Sequence, residues 1–261
     1  MTQPRVALVT GAARGIGAAT VRALVDDGCR VVAVDACLGA DHGLPGVDHA
    51  LATHDDLDRL GSYGDAIVTH VADVRDPAGL SAAADLAIER WGRLDVAVAG
   101  AAVMAGGRPA WETTAAELKT LWAIDVLGVW NTAFVAVPHM LAGPDPAGCR
   151  FVAIASAAGS RGLFHLTGYT AAKHAVIGLV RGLAADLVGT GATAVAVSPG
   201  ATRTAMLDAT ARLYGLEDPA ELADDQLTRR LHEPAEVAAT IAHCCSAAGG
   251  LLNGSVVDLG N

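Results

Sequence analysis

A tyrosine and a lysine four residues apart carry the clearest chemistry in this sequence. In Tyr169-Thr-Ala-Ala-Lys173 the two side chains share one face of a helix, one turn apart, if a helix begins near Gly168. An ammonium beside a phenol stabilises the phenolate and lowers the tyrosine pKa, which gives a general base near neutral pH. Ser156 lies thirteen residues upstream and adds a hydroxyl. An ordinary amphipathic helix could carry the same pair, so the rest of the chain must decide.

The elements that would position these side chains can be read from the chain of 261 residues, a length that suits one α/β domain. Short apolar runs predict strands at 5–10, 30–35, 66–73, 94–100, 150–155, 192–198 and 255–259. Helical composition predicts helices at 18–27, 55–60, 77–91, 113–141, 168–187 and 234–247. The strand at 150–155 then delivers Ser156 at its carboxyl end, and the helix with Tyr169 follows it. We expect a single domain over residues 1–261.

A glycine-rich turn joins the first strand to the first helix. Its candidate binding residues are Gly11, Arg14, Gly15, Ile16 and Gly17. Glycines let the backbone turn tightly and approach a pyrophosphate, which the N-terminus of the helix then stabilises. A tight turn without a ligand would have the same glycines, but the strand before it and the helix after it favour a dinucleotide site.

An acid ends the second predicted strand, eighteen residues after Gly17. The carboxylate of Asp35 can accept hydrogen bonds from the adenosine ribose hydroxyls, and it would repel a 2′-phosphate. Ala36 supplies no arginine to offset that repulsion, and only Arg14 favours a phosphate. The sequence therefore predicts NAD rather than NADP as the cofactor.

Two further strand ends border the predicted cofactor. Asp73 and Val74 follow the third strand, where a carboxylate can meet the adenine amino group. Small residues from Ala99 to Ala101 end the fourth strand and let the cofactor ribose pass close.

One carboxylate falls on or beside the apolar stripe of the long helix at 113–141. A buried carboxylate needs a partner, and Lys173 is the available candidate for Asp125. The alternative is a carboxylate at the edge of the stripe that reaches solvent.

Residues 37–64 form a long connection, here called the insertion. Structureless connections longer than about 12–15 residues are uncommon and are usually functional or disordered. Since the insertion follows the second strand, we expect it to lie over the adenine end of the cofactor and to slow cofactor exchange. The alternative is a floppy surface segment. No metal is predicted, because no known ligand spacing matches His42, His49, His54, Asp55 and Asp56.

Composition excludes several other classes of function. The formal net charge is -10 with no basic run, which argues against nucleic acid as a partner. Apolar runs are broken before 18 residues, so no transmembrane helix is expected, and the first residues do not resemble a signal peptide. The five cysteines are odd in number and form no C-x-x-C pair, which favours a reduced cytoplasmic protein with buried thiols.

The motifs occur in one order along residues 5–261. They are Thr10-Gly-x-x-x-Gly-x-Gly17, Asp35, Asp73, Ser156, Tyr169-x-x-x-Lys173 and Pro199-Gly200-x-x-x-Thr204. Together they resemble the short-chain dehydrogenase/reductase family. The resemblance implies a seven-stranded parallel Rossmann sheet with helices on both faces. It also implies a homotetramer, or a dimer, joined through two long helices.

The resemblance assigns roles to the candidate residues. It implies that Tyr169 is the catalytic acid/base, that Ser156 polarises the substrate oxygen, and that Lys173 binds the nicotinamide ribose. Pro199, Thr202 and Thr204 match the element that holds the nicotinamide carboxamide. The implied reaction interconverts an apolar secondary alcohol and its carbonyl compound by hydride transfer.

Two departures from the family pattern stand out. The usual Asn-Asn-Ala-Gly after the fourth strand is here Ala99-Gly100-Ala101-Ala102, so the backbone alone must position the cofactor ribose. The fourth catalytic residue of the family, an asparagine, aligns with Asp125, which would hold the same water but add a charge beside Lys173. The proton relay is therefore open, whereas hydride transfer is not.

Residues 205–232, here called the lid, are mixed in composition and are expected to cover the substrate. The residues expected to border the substrate are Ser156, Val103, Met104, Phe164, His165, Met206 and Leu207. His165 either binds substrate through a hydrogen bond or is a packed loop histidine.

The insertion, with the segments 106–112 and 204–215, is similar to the mycofactocin-associated branch of the family. That resemblance implies an NAD that stays bound and passes its electrons to a peptide-derived redox carrier. Two alternatives stay open: an ordinary family member with freely exchanging NAD(H), and a non-catalytic NAD-binding sensor or scaffold. The intact Ser156, Tyr169 and Lys173 argue against the second.

Overall fold

Seven parallel strands form one sheet in the computed structural model, which describes residues 3–224 and 226–260. The strands are β1 Val6–Thr10, β2 Arg30–Asp35, β3 Ile67–Val71, β4 Val96–Ala99, β5 Arg150–Ile154, β6 Thr193–Pro199 and β7 Val256–Leu259. Their order is β3-β2-β1-β4-β5-β6-β7, and every neighbouring pair is parallel. The order reverses between β1 and β4, which opens a crevice at the carboxyl ends of these strands. The predicted Rossmann fold is confirmed.

Eight α-helices connect and cover the strands within the described residues. They are α1 Gly15–Asp26, α2 His54–Gly61, α3 Pro77–Trp91, α4 Ala115–Leu121, α5 Leu127–Ala142, α6 Thr167–Asp186, α7 Ala205–Leu213 and α8 Pro234–Cys245. Local signals set several of their ends. Asp76 caps α3 by accepting a hydrogen bond from the Ala78 amide, Pro77 occupies the first turn, and Gly92 ends the helix at φ 76°. Met1, Thr2 and Asn261 of the predicted domain, and Asp225 of the lid, lie outside the described residues.

The sheet is covered on both faces, which explains why its strands are apolar throughout. Val6 and Leu8 of β1 face one core, which also holds buried side chains of α3, α5 and α6. Ala7 and Val9 face the opposite core, under α1, α2 and α8. All four side chains are fully buried. The alternation fixes the register of β1 and so places the glycine turn that follows it at the crevice.

The predicted long helix at 113–141 contains an irregular turn. A π-helical turn, Trp122–Val126, joins α4 to α5 and carries Asp125. The expectation of one uninterrupted α-helix was wrong here, because the π turn separates α4 from α5. By length and composition alone the run 115–142 could cross a membrane, and the expectation of no transmembrane helix stays a prediction. Half of its most apolar window is buried in the protein, as in a core helix.

The lid is more regular than its composition suggested. Thr204 caps α7, since its Oγ1 accepts a hydrogen bond from the Leu207 amide at 3.3 Å. A 3-10 turn follows at Pro219–Ala223. An ion pair of 2.9 Å between Arg203 and Glu233 fixes the start of the lid to the N-terminus of α8.

Candidate active site

A cavity of about 960 Å³ lies at the carboxyl ends of the central strands. Its wall includes the glycine turn after β1, the ends of β4 and β5, and residues of α6 and α7. Part of the insertion completes it. The sheet therefore brings residues that are far apart in sequence to one site.

The glycine turn forms a cradle that only glycines allow. Gly11, Arg14, Gly15, Ile16 and Gly17 all line the cavity. A Cβ on Gly17 would lie 1.9 Å from the carbonyl oxygen of Gly11. Gly11 has φ +66°, and a Cβ there would lie 2.6 Å from the backbone nitrogen of Ala101. The backbone and the N-terminus of α1 therefore stay bare, as a diphosphate requires.

Asp35 is held at the end of β2 with its carboxylate at the cavity. Its Oδ2 accepts a hydrogen bond from the Ala13 amide and its Oδ1 one from the Cys37 amide, each at 3.1 Å. These two contacts fix the orientation of the carboxylate. Arg14 donates its hydrogen bond to the Ala50 carbonyl, so its guanidinium is engaged with the insertion.

Asp73 and Val74 line the cavity beyond the end of β3. Both carboxylate oxygens of Asp73 accept hydrogen bonds from Arg75, the shortest at 2.5 Å. Asn131 of α5 donates to the Val74 carbonyl at 2.8 Å. A Cβ on Gly128 would lie 2.6 Å from a Val74 methyl group, so α5 packs directly on this segment. Asn131 was missed from the sequence, although it is a polar residue within an apolar helix.

Three candidate catalytic side chains meet at the ends of β5 and α6. Ser156, Tyr169 and Lys173 all line the cavity, and the last two are almost wholly buried. The Lys173 ammonium lies 5.5 Å from the centre of the Tyr169 ring and donates a hydrogen bond to the Ile154 carbonyl at 3.3 Å. The Tyr169 hydroxyl lies 4.0 Å from Met206 Sδ of the lid.

Asp125 is the buried partner of Lys173. Its Oδ2 lies 3.2 Å from Lys173 Nζ, and its Oδ1 accepts a hydrogen bond from the Val103 amide at 2.9 Å. The Asp125 side chain is fully buried. The predicted pairing is confirmed, and the alternative of a solvent-reaching carboxylate is wrong. Asp125 does not itself line the cavity.

Burial dominates the protonation of this cluster. Burial raises the pKa of Tyr169 above its usual value; Lys173 lowers it by less, and Asp125 adds to the rise. The expected lowering of the Tyr169 pKa was therefore wrong, because the sequence does not show how much solvent the phenol loses. Burial lowers the pKa of Lys173, but Asp125 and Tyr169 outweigh it and hold that pKa above its usual value. Burial also raises the pKa of the Asp125 carboxyl above its usual value, against the lowering by Lys173, so the charges of the two groups depend on each other.

The loop after β6 completes the wall beside the cradle. Pro199, Thr202 and Thr204 line the cavity. The Thr202 hydroxyl donates to the Gly200 carbonyl at 3.0 Å, and that of Thr204 to the Thr202 carbonyl at 3.2 Å. A Cβ on Gly15 would lie 3.3 Å from a Thr204 methyl group, so the two loops touch.

The family follows from comparison with known proteins. The family model described as short chain dehydrogenase matches residues 5–213. The chain belongs to the short-chain dehydrogenase family. It is 36% identical to the (-)-trans-carveol dehydrogenase of Rhodococcus erythropolis over 224 residues, which cover 82% of this chain and 78% of the relative. It is 31% identical to the levodione reductase of Leifsonia aquatica, with 98% of this chain and 92% of the relative covered.

A solved structure of a family member has the same fold. The carveol dehydrogenase of Mycobacterium avium, in complex with NAD, matches with a TM-score of 0.88 at 28% identity. The match covers 99% of this chain and 96% of the other.

Five apolar residues that were expected to border the substrate form part of the cavity wall. Val103, Met104, Phe164, Met206 and Leu207 line the cavity as expected from the sequence.

His165 does not line the cavity. It has φ 55°, its ring stacks on that of Phe164 with centroids 3.7 Å apart, and its carbonyl accepts a hydrogen bond from the Gly107 amide. The packed-loop alternative for His165 therefore describes its contacts.

This chain lacks the family's asparagines after β4, and a hydrogen bond from the backbone there to Thr10 joins the ends of two strands. The Thr10 hydroxyl oxygen accepts a hydrogen bond from the Gly100 amide at 3.2 Å and so joins the ends of β1 and β4. Ala99, which was expected at the cofactor, is the last residue of the buried strand β4 and does not line the cavity, whereas Gly100 and Ala101 do.

The insertion lies along the cavity, and the residues it contributes were missed. They are Leu38, His49, Leu51 and Ala52. Val47 forms an antiparallel bridge with Ala105, so the insertion reaches across to the loop after β4. No local pattern in the sequence signals these contacts, because they depend on where the loop folds back. Among the described residues no group of three or more His, Cys, Asp or Glu side chains could hold a metal ion.

Proposed function

We propose that this short-chain dehydrogenase uses NAD to interconvert an apolar secondary alcohol and its carbonyl compound. One observation carries the proposal: Ser156, Tyr169 and Lys173 line the same cavity as the glycine cradle. A hydroxyl, a phenol and an ammonium beside a diphosphate site are the groups that proton and hydride transfer need. The relatives named for carveol and levodione act on compounds of the proposed class. The whole chain serves as one catalytic domain.

Two contacts support NAD rather than NADP. The carboxylate of Asp35 is fixed at the ribose position by two backbone amides and would repel a 2′-phosphate. Arg14, the one residue in the cradle that could offset the repulsion, donates to the insertion instead. The Mycobacterium avium relative was solved with NAD.

The side chains divide the work of alcohol oxidation. When bound, oxidised NAD supplies the hydride acceptor. Tyr169 accepts the hydroxyl proton at its phenolic oxygen, and Ser156 donates a hydrogen bond to the substrate oxygen. Lys173 holds the cofactor ribose and stabilises the phenolate by its charge. Asp125 keeps Lys173 charged and fixes its position through the 3.2 Å ion pair. The same steps run backwards in carbonyl reduction.

The wall of the substrate end favours an apolar substrate. Val103, Met104, Phe164, Met206 and Leu207 provide apolar side chains. Ser156 and Tyr169 then supply the polar contacts for one oxygen atom. A few polar groups in an apolar pocket are the usual basis of such specificity.

Retention of NAD is a finer part of the proposal. The insertion, which lies along the cavity, is hydrogen-bonded to Arg14 of the cradle and to Arg212 of α7. These contacts support a cofactor that leaves slowly. A bound NADH would then be reoxidised in place by a small redox carrier, such as the peptide-derived carrier of the mycofactocin branch. Freely exchanging NAD(H) is the competing arrangement.

An exposed apolar face supports assembly. Along α4, the π turn and α5 the exposed large apolar side chains are Leu118, Trp122, Leu127, Trp130 and Phe134. Isolated apolar side chains are common on surfaces, but a continuous row on one helix face indicates an interface. We propose a homotetramer, or a dimer, formed through these helices. Light scattering should show a smaller species for Trp130→Glu than for Tyr63→Glu, whose site is an exposed ring outside this face.

A cytoplasmic location is a further part of the proposal. All five cysteines are buried and free, which suits a reducing cytoplasm. The net charge of -10 gives no reason to expect nucleic acid as a partner.

Tyr169→Phe tests the catalytic proposal. The variant should lose alcohol oxidation by at least roughly a hundredfold, in the range of general acid–base catalysis, while it still binds NAD. Tyr63→Phe is the matched control, because Tyr63 is exposed and contacts only the guanidinium of Arg22 among the ring contacts of the described residues. Unchanged turnover in Tyr169→Phe would sink the proposal. Binding of NAD with no turnover of any alcohol by the unaltered protein would favour the sensor.

The cofactor arrangement has a separate test. The purified protein is denatured, and the released NAD is measured. Nearly one NAD per chain, with alcohol oxidation that needs an artificial electron acceptor, supports retention. An empty preparation that turns over with added NAD alone rejects it.

A further inference from the structure

A hydrogen bond joins two walls of the cavity beside the proposed substrate site. The Tyr214 hydroxyl donates to the Phe164 carbonyl at 2.9 Å, and both residues line the cavity. Tyr214 follows the last residue of α7, whereas Phe164 lies in the loop between β5 and α6. We call this hydrogen bond the tie. Since it connects residues that are 50 apart in sequence, it fixes the distance between the lid and the loop that carries Phe164.

The loop on one side of the tie is itself held in place. The Gly107 amide donates to the His165 carbonyl at 2.9 Å, and a Cβ on Gly106 would lie 2.7 Å from the same carbonyl oxygen. The ring of His165 stacks on that of Phe164. The Phe164 carbonyl therefore has a fixed place next to the loop after β4, and the tie holds the end of α7 to it.

One face of α7 runs along the cavity from the proposed catalytic tyrosine to the tie. The residues that share this face line the cavity at positions i, i+4, i+7 and i+8; they are Met206, Thr210, Leu213 and Tyr214. At one end of the face, Met206 Sδ lies 4.0 Å from the Tyr169 hydroxyl. Tyr214 comes eight residues later, which is about 12 Å along a helix axis. The face therefore spans the distance from the proposed acid/base to the tie.

The tie lies where the cavity meets solvent. The Phe164 side chain is 72% exposed, and Tyr214 is half-buried. A Cβ on Gly107 would lie 3.3 Å from Leu213 Cγ, so the end of α7 also packs on the loop after β4. The tie and this contact together close the rim of the cavity at the end of α7. An alcohol whose apolar body extends past the rim must break the tie or leave that part of its body in water.

We propose that Tyr214 is a specificity-determining residue, and that the tie favours compact apolar secondary alcohols over long ones. The inference rests on the proposed function. A compact alcohol fits between Tyr169 and the tie with its apolar surface buried. A longer alcohol buries no further apolar surface unless the tie breaks, and the broken tie costs one hydrogen bond. The preference is therefore set by a residue that lies two helical turns from the reacting groups.

Kinetics with alcohols of different length test this proposal. The value of kcat/KM with NAD is measured for 2-hexanol and for 2-dodecanol. Tyr214→Phe removes only the hydroxyl of the tie. The ratio of kcat/KM for 2-dodecanol to that for 2-hexanol should rise by roughly fivefold over the ratio of the unaltered protein, as for the loss of one hydrogen bond between neutral groups. The affinity for NAD, measured by calorimetry, should not change, because the tie lies away from the cradle.

Tyr63→Phe is the matched control, because Tyr63 is an exposed tyrosine that does not line the cavity. Its ratio should equal that of the unaltered protein. If Tyr214→Phe fails to fold, Tyr214→Leu replaces it, since leucine also lacks the donor. An unchanged ratio in a folded variant overturns the proposal, while oxidation of 2-hexanol by that variant shows that the proposed function stands. If the unaltered protein oxidises no secondary alcohol, the proposed function fails, and this inference fails with it.

Discussion

Lys173 Nζ lies 3.2 Å from Asp125 Oδ2 at a depth where neither side chain is more than 2% exposed. The pair joins α6 to the π turn between α4 and α5, and the Val103 amide ties the same carboxylate to the loop after β4. Tyr169 therefore lies near both members of a buried ion pair. A family member with asparagine at this position would have only the cation.

Asp125→Asn should move the pH dependence of alcohol oxidation towards acid. Burial is the main cause of the raised Tyr169 pKa, and the Asp125 charge raises it further, so removal of that charge lowers it. In the proposed mechanism the deprotonated phenol of Tyr169 accepts the proton of the alcohol. The acid limb of the kcat/KM profile should therefore shift to lower pH.

The control for this profile is Asp26→Asn, which removes a charge at the exposed end of α1. An acid limb that stays in place, or moves to higher pH, would show that Asp125 does not act on Tyr169.

Asp125→Ala should destabilise the fold strongly. It leaves the ammonium of Lys173 buried without its counter-charge, which costs about 3–5 kcal/mol in comparable pairs. Urea unfolding measures the loss. The double variant Asp125→Ala, Lys173→Met should recover part of it, because no unpaired charge is left. A single variant within about 1 kcal/mol of the unaltered protein would contradict the ion pair's role.

Gly17→Ala should damage the cofactor site. The added Cβ would meet the Gly11 carbonyl oxygen at 1.9 Å, so the backbone of the cradle must move. NAD affinity should fall by at least roughly tenfold, about the cost of one lost charge-assisted hydrogen bond, as measured by calorimetry. Gly61→Ala is the control, since its nearest contact would be an ordinary 3.6 Å to Thr69. Equal NAD affinities for the two variants would argue against the cradle.

Asp35→Ser should relax the choice of cofactor. The serine removes the negative charge that repels a 2′-phosphate, while its hydroxyl can still bond a ribose. The ratio of kcat/KM for NADP to that for NAD should rise by roughly tenfold or more. Steady-state kinetics with both cofactors give the ratio. An unchanged ratio would mean that Asp35 does not set the preference.

The five cysteines should react slowly in the folded protein. Burial raises the pKa of each thiol, to about 11 for Cys37 and for Cys149, so little thiolate forms at neutral pH. Labelling with a thiol reagent should be slow in buffer and should reach five per chain in guanidinium. Rapid labelling of folded protein would contradict this burial.

The sequence predicted those parts of the site that depend on local pattern. The cradle and the pair Tyr169–Lys173 have fixed spacing next to a strand or within a helix, so their places follow once the elements are known. The π turn at Asp125 was not predicted, because the apolar residues around it were assigned to the stripe of one continuous α-helix. The contact from Asn131 to Val74 joins residues 57 apart in sequence and follows only from packing of α5 on the sheet.

The direction in which a loop side chain points could not be predicted from the sequence, as His165 shows. Its type suggests chemistry, and its position in the chain suggests the substrate, yet φ 55° and the stacking on Phe164 turn it into the loop. His49 was considered from the sequence only as a metal ligand, whereas in the structure it is one of the residues that line the cavity. Side-chain direction in a loop is set by contacts such as the one from Arg14 to the Ala50 carbonyl, which no short-range pattern encodes.

The hydrogen bond from Arg212 to the Asp48 carbonyl has a consequence for efforts to broaden the substrate range. Arg212 belongs to the helix that would be redesigned for a bulkier alcohol, and Asp48 belongs to the insertion that lies along the cavity. Substitutions in α7 that are selected for activity on a new alcohol could therefore also change the rate at which the enzyme releases its cofactor. Selection on alcohol turnover alone would not reveal that change. Screening a library of such variants with and without added NAD would separate the two traits.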